Sequence, residues 1–379
     1  MATGQVIGDV AEDSQPTSEA TGFVLSRPSG TVEGRGVRQY FDDPAAARDA
    51  FREGRVSALV GALPFDPDGP CSLVEPVELR STPGPWQNSG GRAAQVRVGE
   101  PRYLPADDVH AQNVDRALAS IREGAFDKVV LSRRAVLAAD SELDPADLLA
   151  RLVAGDPAGN GYLVELGDPR GGVAHPVLVG SSPEVLVRRR GLHVSCHPLA
   201  GSAARGATPD EDTAISEGLL GSEKDSREHA LVVDYLRRAL EPLCRALEVP
   251  ERPALTATGQ LWHLGTPIVG TLKSPEVTAF DLARAIHPTP AVCGTPSESS
   301  LAYLRQVEPE RGFYAGTVGW CDAAGDGEWM VAIRCAEVAA DRRTVTAHAG
   351  GGIVAGSDPA LEVAETHAKF RTVLSALRP

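Results

Sequence analysis

The chain has 379 residues, 42% of them hydrophobic, and a formal net charge of −14, so it can bury a large core as one big domain or two to three ordinary ones. The acidic balance argues against nucleic acid and membrane as partners, because phosphate backbones and anionic surfaces are met by basic patches. No run approaches the roughly 18 apolar residues of a spanning helix, and the start lacks the basic and apolar regions of a signal peptide, which makes the cytoplasm the expected compartment.

In chain order, residues 1 to about 20 are polar and read as a mobile tail. Residues 20 to 105 read as short strands and turns rich in Gly and Pro and carry no motif. A helix follows at about 108–123, with Val114, Leu118 and Ile121 on one stripe. A strand begins at Lys128, a helix lies near 144–154, and strands follow around 161–167, 176–181 and 184–189. Past the turn at 190–192 another strand runs into His197-Pro-Leu-Ala-Gly-Ser202. The helix at 223–240 has Val232, Tyr235, Leu236 and Ala239 as its core stripe, and Pro242 ends it. Two more helices precede an antiparallel meander over 311–349, with turns at 324–327 and 340–342. A last helix spans 360–377. Hairpin strands with helices in separate blocks predict an α+β fold: an extensive antiparallel sheet core with helices outside, in a single large domain over 21–379. Six cysteines (Cys71, Cys196, Cys244, Cys293, Cys321, Cys335) show no C-x-x-C spacing and read as reduced core thiols.

Two segments repeat one arrangement of acids. Asp225 and Glu228 are three apart on one helix, and Glu362 and Glu365 are three apart on another. That spacing puts each pair on one helical face. Taken singly, such a pair is a solvated acidic edge. If the two faces meet, four carboxylates share a small volume and call for a hard cation with oxygen ligands, for which Mg2+ is the natural choice. His229 and His367 beside the acids would suggest zinc, but no pair has the H-E-x-x-H spacing. Only four of the 37 basic residues are lysines, and Lys128, Lys224 and Lys369 fall inside the motifs below; unlike arginine, lysine can give up its proton in a protein.

The motif series resembles the chorismate-utilising enzymes, and within them the isochorismate synthases. It comprises Lys128-Val-Val-Leu-Ser-Arg, Ser182-Pro-Glu184, Pro198-Leu-Ala-Gly-Ser202, the helix from Asp225 to His229, Leu261-Trp-His-Leu264 and His287-Pro-Thr-Pro-Ala-Val-Cys-Gly294. It continues with Arg311-Gly-Phe-Tyr-Ala-Gly316, Ala332-Ile-Arg-Cys335, Ala349-Gly-Gly-Gly-Ile-Val354 and Glu365-Thr-His-Ala-Lys369. These stand in the family's order over about 105–379. One departure is Gly351, where the family has alanine in its glycine loop.

The resemblance implies Mg2+-dependent, reversible conversion of chorismate to isochorismate, feeding siderophore or menaquinone synthesis, by a protein that works as a monomer. Water adds at ring C2, the double bonds shift and the C4 hydroxyl leaves, which takes one base and one acid on opposite sides of the ring. Lys128 matches the base and Glu184 the acid, roles served by a lysine pKa lowered and a glutamate pKa raised on burial. By themselves the two residues read rather as a surface lysine at a strand end and a turn carboxylate. Glu228 and Glu365 match direct metal ligands, and Asp225 and Glu362 match outer acids. Tyr314, Arg334, Lys369 and the backbone donors of Gly350 and Gly352 match the pocket for the enolpyruvyl carboxylate. Gly201 and Ser202 are expected at the substrate or its metal-bound carboxylate, and His263 at the ring. Taken alone, the glycine run is a hairpin exit, and the absence of Gly-Lys-Ser/Thr argues against a phosphate loop.

Ammonia-using branches of the family carry glutamine where Lys128 stands, and the aminodeoxychorismate branch has lysine where Ala200 stands. Salicylate synthases share Lys128 and Glu184 but carry threonine at Ala291 and glutamine before their histidine, where this chain has Trp262. The expected product is therefore isochorismate, with salicylate as the alternative. A catalytically dead binding module is disfavoured because every acid, base and metal position is filled.

Overall fold

The computed structural model describes residues 21–88, 96–259 and 261–378; the expected tail over residues 1–20 lies outside them. Three antiparallel sheets carry the chain. The ten-stranded sheet runs Gly294–Thr295, Lys128–Ala138, Thr344–Val354, Cys335–Val338, Val177–Gly180, Gly161–Glu165, Thr21–Arg27, Gly30–Arg35, Glu78–Thr82, with Arg102–Leu104 also paired to Lys128–Ala138. The nine-stranded sheet runs Cys244–Glu248, Ile268–Leu272, His193–His197, Val185–Arg190, Gly327–Val331, Thr317–Asp322, Ala58–Leu63, Ser72–Glu75, Gln39–Phe41. A small sheet joins Leu199–Ala204, Leu261–Gly265 and Ala254–Ala257.

The two large sheets share one hydrophobic cluster, which includes Phe23, Leu59, Leu73, Leu131 and the fully buried Trp329. The helices Glu223–Leu240 and Ala279–Ile286 add Leu236 and Phe280 to it. A second cluster forms where the helices Pro145–Gly155 and Pro359–Leu377 pack Leu148, Leu149, Phe370 and Val373 onto Ala135, Leu163 and Val345 of the ten-stranded sheet. The Lys128–Ala138 strand records both environments. Its first four residues are all buried, as in a strand covered on both faces, and buried and half-buried residues then alternate.

Several elements depart from expectation. The helix Pro44–Arg52 interrupts the region read as strands; Asp43 caps it and Pro44 opens it, a start signal that its nine residues left inconspicuous. The helix Pro209–Gly221 is likewise additional and begins with a full capping box of Thr208 and Glu211. Strands also fill 244–272, between helices read as successive.

The meander expected over 311–349 is split between sheets. Thr317–Asp322 and Gly327–Val331 form a hairpin in the nine-stranded sheet, whereas Cys335–Val338 and Thr344–Val354 form one in the ten-stranded sheet. The chain crosses between them at Ala332, Ile333 and Arg334, where Arg334 adopts φ +53. A second crossing, at Ser181–Glu184, joins Val177–Gly180 of one sheet to Val185–Arg190 of the other. The crossings are bonded together: Ser181 N–H donates to the Arg334 carbonyl at 3.0 Å and Val331 N–H to the Glu184 carbonyl at 3.1 Å. Glu184 and Arg334 thus come from neighbouring corners between the two sheets.

Candidate active site

One cavity is lined by thirteen of the fifteen residues singled out from sequence: Glu184, Gly201, Ser202, Asp225, Glu228, His263, Ala291, Tyr314, Arg334, Gly350, Gly352, Glu365 and Lys369. Lys128 and Glu362 are not in its wall. Lys128 is fully buried one layer behind it, with its ammonium 2.9 Å from Glu228 Oε1. Glu362 is buried next to Glu365, and Lys224 donates to its Oε1 at 3.2 Å.

The acidic helices do meet at this cavity, and each of three acids is held by a lysine. Besides the Lys128–Glu228 and Lys224–Glu362 contacts, Lys369 lies 2.5 Å from Glu365. Ser202 Oγ donates to the same Glu365 at 3.3 Å. Burial, reinforced by Glu228, raises the pKa of Asp225, and burial with the Glu365 charge raises that of Glu362. Among the described residues no three acids or histidines already converge on one point. The donor set nevertheless fits a hard cation: carboxylate and hydroxyl oxygens, one carboxylate more than there are lysines, and in Glu362 Oε2 a buried oxygen that meets no hydrogen-bond criterion among the described residues. His229 and His367 turn elsewhere, to Thr266 Oγ1 at 2.6 Å and to Asp107 at 3.0 Å, so neither joins the acids.

Opposite elements supply a cationic and donor-rich wall. Arg334 is buried, and among the described residues no carboxylate lies within ion-pair distance of its guanidinium; burial pulls its pKa down to about 10. Tyr314 is buried beside it and stacks on His348 with ring centroids 4.8 Å apart. Burial lowers the pKa of His263 and of His348, the latter to about 3, and among the described residues His263 Nε2 has no hydrogen-bond partner.

The glycine run is a strand and not the loop expected. Thr344–Val354 pairs with Lys128–Ala138 along its whole length but with Cys335–Val338 only as far as Ala347. Ser132 and Val130, the register partners of Gly350 and Gly352, send their own N–H groups away from this strand, to Glu308 and Cys293. These are therefore non-hydrogen-bonded pairs, and the N–H and C=O groups of Gly350 and Gly352 leave by the free edge. Lys369 Nζ donates to the Gly350 carbonyl there at 2.7 Å. A Cβ at Gly352 would stand 2.4 Å from Glu228 Oε1, so any side chain there would displace that carboxylate.

Glu184 completes the site. Its carboxyl is buried, and burial raises its pKa to about 7 against the opposing pull of the Leu199 N–H and the Lys128 charge. A carboxyl poised there can both give and take a proton near neutrality.

Residues 92–378 match the family described as "Chorismate binding enzyme". The chain belongs to this family. It is similar to a MenF protein of Mycobacterium tuberculosis, with 48% identity over 358 residues that cover 94% of this chain and 95% of that one. It is also similar to the isochorismate synthase DhbC of Bacillus subtilis, at 43% over 337 residues covering 88% and 84%. The crystal structure of DhbC from Bacillus anthracis superposes with a TM-score of 0.87 at 36% identity, covering 97% of each chain.

Two polar lining residues, Lys224 and His348, were given no role from the sequence. Lys224 sits beside Asp225 in a chain with four lysines, and that scarcity was its signal. His348 shares a strand face with Gly350 and Gly352 at spacing two. Trp262, weighed as a product marker, does not line the cavity; its indole N–H donates to Asp212.

Proposed function

We propose that this chain is an isochorismate synthase, a monomeric Mg2+-dependent enzyme that interconverts chorismate and isochorismate. The observation that carries the reading is Glu184: a buried carboxyl with its pKa near 7, in the same cavity as an unpaired buried guanidinium and two facing acidic helices.

In this reading Arg334, Tyr314 and the edge amides of Gly350 and Gly352 take the enolpyruvyl carboxylate, with Arg334 supplying a charge that has no ion-pair partner among the described residues. His263 and Ala291 border the ring, and the small Ala291 adds no donor. Glu228 and Glu365 would hold Mg2+, with Asp225 and Glu362 as the outer acids, and a cation bound there would supply positive charge for the ring carboxylate and the surrounding acids. Lys128 removes a proton from the water that adds at C2, and Glu184 gives one to the oxygen leaving C4. In the reverse direction the two exchange roles. Lys128, paired with Glu228 and outside the cavity wall, must part from that partner to reach the water.

The test is isotopic. With chorismate and Mg2+ in 18O-enriched water, each isochorismate should gain one labelled oxygen, because the attacking water becomes the C2 hydroxyl. Unlabelled isochorismate would mean that the hydroxyl shifts within the molecule, and the roles of Lys128 and Glu184 would fall.

A further inference from the structure

Trp262 precedes His263 on the Leu261–Gly265 strand, and alternation turns its indole away from the cavity that His263 lines. On that outer side it meets two charged groups. The indole N–H donates to Asp212 Oδ1 at 2.9 Å, and the Arg205 guanidinium lies 4.5 Å from the ring centroid. Arg205 grips the same carboxylate with two nitrogens, Nε to Oδ1 at 2.8 Å and Nη2 to Oδ2 at 2.6 Å. The Gly206 N–H adds a contact of 2.8 Å. A Cβ on Gly206 would stand 2.3 Å from the Asp212 backbone nitrogen, so the close approach needs glycine.

The three residues belong to elements that frame the cavity. Asp212 is in the first turn of the helix Pro209–Gly221, which passes through the single residue Ser222 into the helix Glu223–Leu240 that carries Asp225 and Glu228. Arg205 directly follows the Leu199–Ala204 strand that carries Gly201 and Ser202. Trp262 is the register partner of Ala203 on that strand, as His263 is of Ser202. The acidic helix packs closely here: a Cβ on Gly201 would be 2.9 Å from Asp225 Cβ. One ion pair at a surface stabilises little, but a carboxylate held by an arginine fork, an indole N–H and a backbone N–H fixes direction and distance.

We propose that Arg205, Asp212 and Trp262 form a latch that sets how the acidic helix approaches the His263 strand, and so tunes cation affinity at Glu228 and Asp225. They are positioning residues and do not touch substrate. The inference rests on the metal site of the proposed function. It also gives Trp262 a role: its contribution reaches the site through Asp212.

The test uses the full chain, with Mn2+ binding followed by electron paramagnetic resonance, kcat at saturating Mg2+, and circular dichroism. Asp212→Asn and Trp262→Gln should weaken Mn2+ binding by at least about fivefold, the scale of one lost hydrogen bond. The Mg2+ concentration for half-maximal rate should rise in parallel, while kcat at saturation stays within about twofold of wild type, as for a site acting only through affinity. Trp262→Phe keeps the ring over Arg205 and loses only the N–H, and should fall between; if a harsher variant fails to fold, this one decides. Folded variants with unchanged Mn2+ affinity would overturn the latch. Wild-type protein that binds no Mn2+ would overturn the metal site and the latch with it. Wild-type protein that binds Mn2+ but makes no isochorismate would overturn the function while leaving the latch supported by the affinities.

Discussion

Glu184 and Lys128 are both buried, but burial acts on different surroundings. Glu184 has a cavity before it and a single backbone donor at 3.5 Å, so desolvation dominates and its proton is held to about pH 7. Lys128 instead faces a carboxylate, with its Nζ 2.9 Å from Glu228 Oε1. Lys128→Ala and Glu184→Gln should each lower kcat by the roughly 10²–10⁴-fold typical of positioned proton transfer, with chorismate binding retained in calorimetry. Lys128→Arg should fail as badly, because an obligate cation cannot accept the proton; near-normal turnover in any of the three would remove that residue from the mechanism. The pH dependence has a definite sign. Isomerisation consumes no net proton, so the competent enzyme holds one proton on the Lys128–Glu184 pair in either direction. Below about pH 7 Glu184 gains a second. The kcat/KM should therefore fall as pH drops through about 7, identically for chorismate and isochorismate, and the residual activity of Glu184→Gln should lack that limb.

At the scale of elements, the decisive feature is two helices that each present acids three apart to one cavity edge, against the free edge of a glycine strand. Glutamine at Glu228 or Glu365 should abolish turnover while the fold survives, with the thermal midpoint lowered more at Glu228, whose carboxylate is the ion-pair partner of the buried Lys128. Asparagine at Asp225 and glutamine at Glu362 should cost less. Exhaustive chelation should abolish activity and Mg2+ restore it, and full activity in the chelated protein would contradict the assignment. Spacing made these acids legible in the sequence, because i, i+3 geometry is a property of the helix alone. It could not reveal that Glu362 is buried behind the wall, or that Lys224 pairs with it, since both depend on how two distant helices pack. The glycine run was read as a loop for a similar reason: three glycines carry a turn signal, and only pairing with the Lys128–Ala138 strand makes them extended.

At the scale of the molecule, hydrophobic pattern conveyed the antiparallel α+β character and most strands after residue 105. It did not convey which sheet each strand joins, because a strand entering either sheet reads the same. The crossings at Ser181–Glu184 and Ala332–Arg334 are visible only in the fold, and they deliver Glu184 and Arg334 to one cavity. The strands over 244–257 were missed because their exposed and half-exposed residues show little alternation at a sheet edge. The motifs drew thirteen residues to one cavity, and Trp262, beside His263, faces away from it because side-chain direction alternates along a strand. Among the described residues no helix is long and apolar enough to cross a membrane. The central claim is that the cavity hydrates the ring and releases the product intact, since Ala291 offers no hydroxyl to hold it for pyruvate loss. The most direct measurement incubates the purified protein with Mg2+ near neutral pH, starting separately from chorismate and from isochorismate, and separates the products with time. Both reactions should reach one mixture of the two compounds with little enzyme-dependent pyruvate; stoichiometric salicylate and pyruvate, or no interconversion, would contradict the account.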